Sequence, residues 1–329
     1  MTQALVIGGT GFVGRHTVTE LREHGYEVAV SARGETTDPF EDDEDVTFVP
    51  GDRTDDADLA NVARAVDPEV VVDCAAYFPR DVRTATRVFD DCEAYVYVSS
   101  GAAYGAEEIP KREGETALYD CSDEQATTDA AETYGPRKAE GDRAVFTAAA
   151  DGVPARSVRP CNVYGPADPT GRVDYWIDRV ERFDRVLVPG DGTNVWHRAY
   201  VADVARAIRL VVEEGEDGRA YNVGDRRAAT LEETVDLIAA ALGESVEVVH
   251  AGERELATGG IDAGEFPLYR HYPHLLDTNQ LSGLGWDSTP VEEAMAATVE
   301  DYTGSDRDGS VYGPDREAAE RVLGVLDTI

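Results

Sequence analysis

Apolar positions follow two rhythms along this chain. Short continuous runs alternate with longer stretches in which apolar residues recur every three or four positions. The runs are Ala4-Leu5-Val6-Ile7, 27–32, Val46-Thr47-Phe48-Val49, Val70-Val71-Val72-Asp73-Cys74 leading into Ala75-Ala76, Tyr95-Val96-Tyr97-Val98, and 156–158. The helical stretches between them are 15–24, 58–66, 82–89 and an Ala-rich run over 139–150. Strands that alternate with helices, several of them apolar throughout, predict a parallel sheet covered on both faces. The expected fold is α/β, a doubly wound sheet of the dinucleotide-binding type. Ligands of such sheets sit beyond the carboxyl ends of the strands, and Gly8, Asp52, Ala75 and Ser100 all fall at strand ends.

Past residue 165 the pattern loosens. Helices are expected over 174–183, 201–213, 231–242 and 316–326, with a strand over 246–249. A strand at Tyr221 should return to the main sheet. The segment 253–276 has no clear period and reads as a loop region, and 306–314 as a linker. The expected division is a dinucleotide-binding domain over 1–165, to which 200–224 returns. Residues 166–199 and 225–329 then form a smaller interleaved lobe that closes over the substrate.

The first strand runs into Gly8-Gly9-Thr10-Gly11-Phe12-Val13-Gly14 and then a helix. Strand, glycine-rich turn and helix aim backbone N–H groups and a helix N-terminus at a phosphate. Where an acid would hold the 2′-hydroxyl of a dinucleotide, this chain has Ser31-Ala32-Arg33. A hydroxyl and a guanidinium suit a 2′-phosphate, so NADP is favoured over NAD; the alternative is a solvent-facing arginine.

Tyr134-Gly135-Pro136-Arg137-Lys138 places a phenol and an ammonium on one helix face. Pro136 has no N–H, which puts it in the first turn of its helix. A fixed cation beside a phenol lowers its pKa from about 10, making it usable as an acid or base near neutrality. The chain has two lysines, Lys111 and Lys138, against 28 arginines. A lysine at this spacing is therefore a pointed choice.

Composition sharpens the picture. Acidic residues number 66 against 30 basic ones, a formal charge of −36 spread from end to end. That is the surface of a protein living in molar salt, where charge is screened over ~3 Å and carboxylates keep the chain hydrated. It argues against phosphate-mediated nucleic-acid binding. No apolar run approaches the ~20 residues of a membrane span, and the start has no basic region of a secretory signal, so a cytoplasmic protein with a small-molecule substrate is expected, with room for a homodimer. The four cysteines lack zinc spacing. Tyr269, His271, Tyr272 and His274 lack an acid partner, so no metal is expected.

The motifs then fall into a recognisable series. Gly8-x-x-Gly11-x-x-Gly14, Val98-Ser99-Ser100 with Tyr104-Gly105, Tyr134-x3-Lys138 and 159–166 (RPCNVYGP) come in order, followed by 200–205 (YVADVA) and Tyr221-Asn222-Val223-Gly224. The series resembles the extended short-chain dehydrogenase/reductase superfamily, of the NAD-dependent epimerase/dehydratase type, over about residues 1–300. The resemblance implies Tyr134 as the acid/base and Lys138 as the group that holds the nicotinamide ribose and lowers the Tyr134 pKa. It implies Ser100 as a hydrogen-bond donor to the same substrate oxygen. Asp52, with Arg53 beside it, would hold the adenine end. Ala75 and Ala76 would pack along the coenzyme, and Pro160 and Val163 would lie near the nicotinamide. Asn162 resembles a substrate-contacting position, or else a loop-closing amide.

Two departures stand out. The Asp-Glu pair of the nucleotide-sugar 4,6-dehydratases is replaced by Gly101-Ala102, which disfavours that elimination. The arginine that grips the diphosphate in many nucleotide-sugar epimerases is Trp196, with His197 and Arg198 next as substrate candidates; for His197 a structural role competes. The resemblance implies an NAD(P)-dependent epimerase or oxidoreductase acting on a sugar, sugar acid or nucleotide sugar. The alternative is a non-catalytic dinucleotide-binding relative of regulatory or RNA-associated type.

The charge makes a first prediction. The thermal unfolding midpoint should climb steadily as KCl is raised from about 0.1 M to about 2 M, followed by circular dichroism. A flat or falling midpoint would overturn the high-salt reading.

Overall fold

The computed structural model describes residues 2–34 and 39–328. In chain order the elements begin β1 (Gln3–Ile7), α1 (Phe12–Glu23), β2 (Glu27–Ala32), β3 (Val46–Pro50), α2 (Asp56–Val66), β4 (Val70–Asp73), α3 (Pro79–Val88) and β5 (Ala94–Val98). They continue α4 (Ala131–Ala150), β6 (Ala155–Pro160), β7 (Asn162–Tyr164), α5 (Arg172–Arg182), β8 (Arg185–Pro189), β9 (Arg198–Tyr200), α6 (Val201–Glu214) and β10 (Ala220–Val223). The last are α7 (Leu231–Leu242), β11 (Glu247–Ala251), α8 (Glu253–Gly259), α9 (Asn279–Gly283), α10 (Val291–Thr303) and α11 (Arg316–Leu326).

The chain divides into two compact units. The first comprises Met1–Cys161, Val201–Gly224 and Leu276–Asp287. It holds a sheet of seven described strands in the order β10-β6-β5-β4-β1-β2-β3, every pair parallel. The order reverses between β1 and β4, and ligands of such sheets bind beyond the carboxyl ends of the strands at that switch point. β4 and β5 are buried along their whole length, which is why their sequences are apolar without alternation. Leu5, Ile7, Val71, Val82, Phe89 and Tyr95 belong to the core on one side of this sheet. The Tyr221 strand pairs with β6 in register Tyr221↔Val158.

The second unit comprises Asn162–Tyr200, Asp225–Leu275 and Ser288–Ile329. Two short parallel pairs, β8–β11 and β7–β9, accompany α5, α7, α8, α10 and α11. Its core includes Trp176, whose ring stacks on Phe266 at 6.0 Å between centroids and whose Nε1 donates to Pro267 O at 2.9 Å.

Three differences from the sequence reading have plain causes. α4 begins at Ala131, so Pro136 lies inside the helix and not in its first turn. The carbonyl that loses its bond to Pro136 is that of Glu132 one turn back, an exposed position where water can replace the missing N–H. The 253–276 segment is not all loop, because α8 buries Leu256 within it. Residues 276–287, assigned to the smaller lobe, pack with the first unit: the Trp286 indole donates to Asp203 O at 2.9 Å and Leu281 is fully buried.

Where α4 crosses β5, Gly141 gives the room. A Cβ there would stand 2.6 Å from the Tyr97 hydroxyl oxygen and 2.9 Å from its ring. Gly141→Ala gains about 1 kcal/mol of helix propensity, but the clash should outweigh it. Denaturant unfolding in high salt should show a net loss of about 1–3 kcal/mol. A net gain would mean that the two elements separate at no cost.

Candidate active site

The carboxyl ends of β1, β2, β4 and β5 carry most of the candidate residues. Gly8 takes a left-handed φ of +78°, and its N–H donates to Ser31 O at 2.8 Å. Gly11 N-caps α1 with no side chain to offer. The N–H groups of Phe12, Val13 and Gly14 therefore open the helix without intrahelical acceptors, at the positive end of its dipole. Gly14 is where the helix presses on the turn: a Cβ there would stand 2.1 Å from Gly8 O. These features fit a dinucleotide's diphosphate.

Ser31 is only 4% exposed, beside Gly51, so of the Ser31–Arg33 pair only Arg33 reaches the surface. Asp52 folds one carboxylate oxygen onto its own loop, accepting from Thr54 N at 2.8 Å and Thr54 Oγ1 at 2.7 Å. Those bonds hold its pKa below the usual value. Arg53 corrects the sequence reading. Its guanidinium is turned inward onto Asp73, with Asp81 at 3.8 Å, because the fully buried Asp73 carboxylate requires a counter-charge. The side chain is therefore part of the interior, its guanidinium engaged by Asp73.

Lys138 is the centre of the constellation. Its side chain is buried, and Nζ donates to Ala76 O and Val98 O, both at 2.9 Å. Three tyrosine rings surround the ammonium, with centroids at 4.8 Å for Tyr97, 5.3 Å for Tyr77 and 5.8 Å for Tyr134. Burial pulls the Lys138 pKa down to about 8, while the Asp73 and Asp142 carboxylates oppose that fall. An ammonium has three protons; two go to these carbonyls.

Tyr134 is half-buried one turn before Lys138 on the same face. Next to it, Gly135 lets α4 lie against the 3-10 turn Gly101–Ala103, where a Cβ would stand 2.6 Å from Ala102 O. Ser100 N-caps that turn, its Oγ accepting from Ala102 N at 3.1 Å. Gly8 meets Ala75, whose Cβ would be 2.9 Å from a Cβ at Gly8, and Ala76 is buried. Pro160 closes β6. Arg137 faces away from the ammonium and donates to Tyr77 O at 3.2 Å and Asp129 at 2.8 Å.

The remaining candidates lie in the second unit. Val163 is half-buried in β7. Asn162 accepts from Arg172 at 2.7 Å and donates to His197 O at 3.4 Å, the bonding of a loop-closing amide. His197 is 4% exposed, with Nε2 2.7 Å from Asp225 O, and burial lowers its pKa. Arg198 is 5% exposed and donates to Ala229 O at 3.1 Å. Both side chains bind the backbone of their own unit, which for His197 is the structural role that the sequence reading set against a substrate contact.

Sequence reasoning missed Tyr77, Tyr97, Asp73 and Asp142 around the ammonium. Signals for two of them were present: Asp142 is four residues beyond Lys138 on the same face, and Asp73 is the lone acid closing an apolar strand.

The lysine gives a pH prediction. Its folded pKa, about 8, lies below the ordinary 10.5. Below pH 8 the ammonium is charged in both states and its burial opposes folding. Between pH 8 and 10.5 the unfolded chain holds the extra proton, so stability rises with pH. Coenzyme-free protein should gain roughly 3 kcal/mol over that window relative to Lys138→Met, a comparison that cancels the other titrating groups. Parallel denaturation curves for the two proteins at each pH would disprove the assignment.

Residues 4–224 match the family model described as "NAD dependent epimerase/dehydratase family". The low-salt glycan biosynthesis protein Agl12 of Haloferax volcanii is 30% identical over 47% of this chain and 46% of its own length, so the match spans about half of that relative. A putative UDP-glucose 4-epimerase of Methanocaldococcus jannaschii is 26% identical over 86% of this chain and 92% of its own. Among solved structures, the dTDP-glucose 4,6-dehydratase of Bacillus anthracis in complex with NAD superposes with a TM-score of 0.73. It covers 93% of this chain and 98% of its own at 20% identity, a likeness of fold. With a parallel sheet, a glycine turn opening α1 and a family match over most of the chain, this protein belongs to the NAD-dependent epimerase/dehydratase family.

Proposed function

We propose that this protein carries out NAD(P)-dependent redox chemistry at a hydroxyl-bearing carbon of a sugar, sugar acid or nucleotide sugar, as an epimerase or a dehydrogenase. The observation that carries this reading is the Tyr134–Lys138 pair on one face of α4, its ammonium buried against the carboxyl ends of the strands. A bound nicotinamide supplies the group that accepts and returns hydride. Gly8, Gly11 and the N–H groups of Phe12, Val13 and Gly14 would hold the diphosphate, and Lys138 the ribose hydroxyls through its third proton. Tyr134 takes the proton from the substrate hydroxyl and returns it, while Ser100 donates a hydrogen bond to the same oxygen as charge develops there. The ammonium beside the ring favours the phenolate.

Arg33 at the end of β2 is the group that would take a 2′-phosphate, which supports NADP; NAD in the related dehydratase supports the unphosphorylated coenzyme. Gly101-Ala102 provides no carboxylate for a 4,6-elimination, which favours epimerisation or simple oxidation over dehydration. An epimerase must keep its coenzyme through the cycle and a dehydrogenase must release it. Coenzyme retained through purification therefore favours the first.

Tyr134→Phe tests the proposal, with sugars, sugar acids and nucleotide sugars screened against both coenzymes in about 2 M salt. The variant should bind coenzyme as the parent does and lose about 10²–10⁴ in kcat. Unchanged turnover on every accepted substrate would remove Tyr134 from the chemistry and favour a non-catalytic dinucleotide-binding role.

A further inference from the structure

Behind the candidate site runs a buried polar chain confined to the first unit. Asp142 is fully buried on α4, so Tyr134, Lys138 and Asp142 follow one another at four-residue intervals on one face. The Asp142 carboxylate accepts from Ser157 Oγ at 2.7 Å and Arg159 Nε at 2.8 Å, both on β6. Arg159 passes a second bond to the Tyr104 hydroxyl at 2.9 Å, with its guanidinium 5.0 Å from that ring's centroid. Tyr104 in turn donates to Asn222 Oδ1 at 2.9 Å. Asn222 on β10 is anchored on its remaining sides, its N–H to Glu113 at 2.7 Å and its amide to Lys111 O and Asp277 O. Tyr104 closes the 3-10 turn that Ser100 opens. One end of this chain thus holds the helix of Tyr134 and Lys138, and the other holds the turn of Ser100.

We infer that Asp142 is a positioning residue for the Tyr134–Lys138–Ser100 site. Through Arg159 and Tyr104 it fixes the serine turn against α4, and its carboxylate supplies negative potential to the buried ammonium without touching it. This rests on the proposed function for its kinetic consequence alone; the electrostatic consequence stands apart from any activity. The tyrosine rings of Tyr77, Tyr97 and Tyr134 face the ammonium, and the charges that act on it are those of Asp73 and Cys74 at the end of β4 and of Asp142 and, with opposite sign, Arg137 on α4. Arg53 binds Asp73 as Arg159 binds Asp142. The two carboxylates whose charge acts on the ammonium are thus each bound by an arginine. A purely architectural ion pair would hold α4 to β6 equally well but would leave the lysine's titration and the chemical step alone.

Two lysines make the test direct, because lysine side-chain labelling yields two NMR signals. The one lost in Lys138→Met identifies Lys138. In coenzyme-free Asp142→Asn its midpoint should fall by about one pH unit or more, with the Lys111 signal unmoved. A Lys138 midpoint unchanged in folded Asp142→Asn would overturn the electrostatic half. Tyr104→Phe removes one hydroxyl and keeps every charge. Its kcat should fall about tenfold, with the KM for coenzyme and the Lys138 midpoint unchanged. A folded Tyr104→Phe with parental kcat would overturn the positioning half, and this arm decides the matter if Asp142→Asn does not fold. If Tyr134→Phe retains full activity while Asp142→Asn still shifts the lysine, the proposed function fails and the electrostatic assignment survives.

Discussion

An ammonium ion taken out of water is the constraint around which the first unit is arranged. Lys138 has lost nearly all its hydration, and the loss is offset by three kinds of neighbour. Two strand-end carbonyls take protons, three tyrosine faces present the negative side of their rings, and two buried carboxylates act at longer range. Each carboxylate would itself be costly without a partner, so each is bound by an arginine, Arg53 for Asp73 and Arg159 for Asp142. The charges around the ammonium are thereby linked. What remains is a lysine whose proton is held loosely enough to titrate near pH 8 and firmly enough to be present at neutrality.

The chain's second lysine, Lys111, is also out of water. Its Nζ donates to Ala106 O at 2.6 Å and Glu108 O at 3.4 Å, with Glu107 at 3.3 Å. Both lysines donate to more than one backbone carbonyl, a geometry that a compact ammonium with three protons satisfies. Carboxylates are met by arginine both inside, as at Arg159, and outside, as at Arg80, whose side chain is 67% exposed.

The sheet turns this local chemistry into a site. β1 stands between β2 and β4, so the glycine turn, the Ala75-Ala76 step and the Ser100 turn all lie at the same edge. α4 then crosses β5 at Gly141 and meets the serine turn at Gly135. Two glycines on one helix thus set the distance at which its tyrosine and lysine approach the strands. The family named in the match takes in both epimerases and dehydratases.

Much of this was legible in the chain. Continuous apolar runs fixed the strands as doubly covered, because only a buried parallel sheet removes the need for a polar face. The glycine spacing and the four-residue interval between Tyr134 and Lys138 are local geometry, and local geometry is written in sequence order. The return of β10 to the sheet was likewise anticipated. Charge pairing was not legible, because it joins residues far apart in the chain. Arg53 beside Asp52 looked like a coenzyme contact until tertiary packing turned it onto Asp73, twenty residues on. Pro136 looked like a helix start, and the solvent exposure of Glu132 allowed it deeper in the helix. Sequence alone determined the glycine turn after the first strand and the helix face that Tyr134 and Lys138 share. Only the fold decided which of those groups are charged, buried and held, since desolvation and pairing depend on neighbours that no interval along the chain reveals.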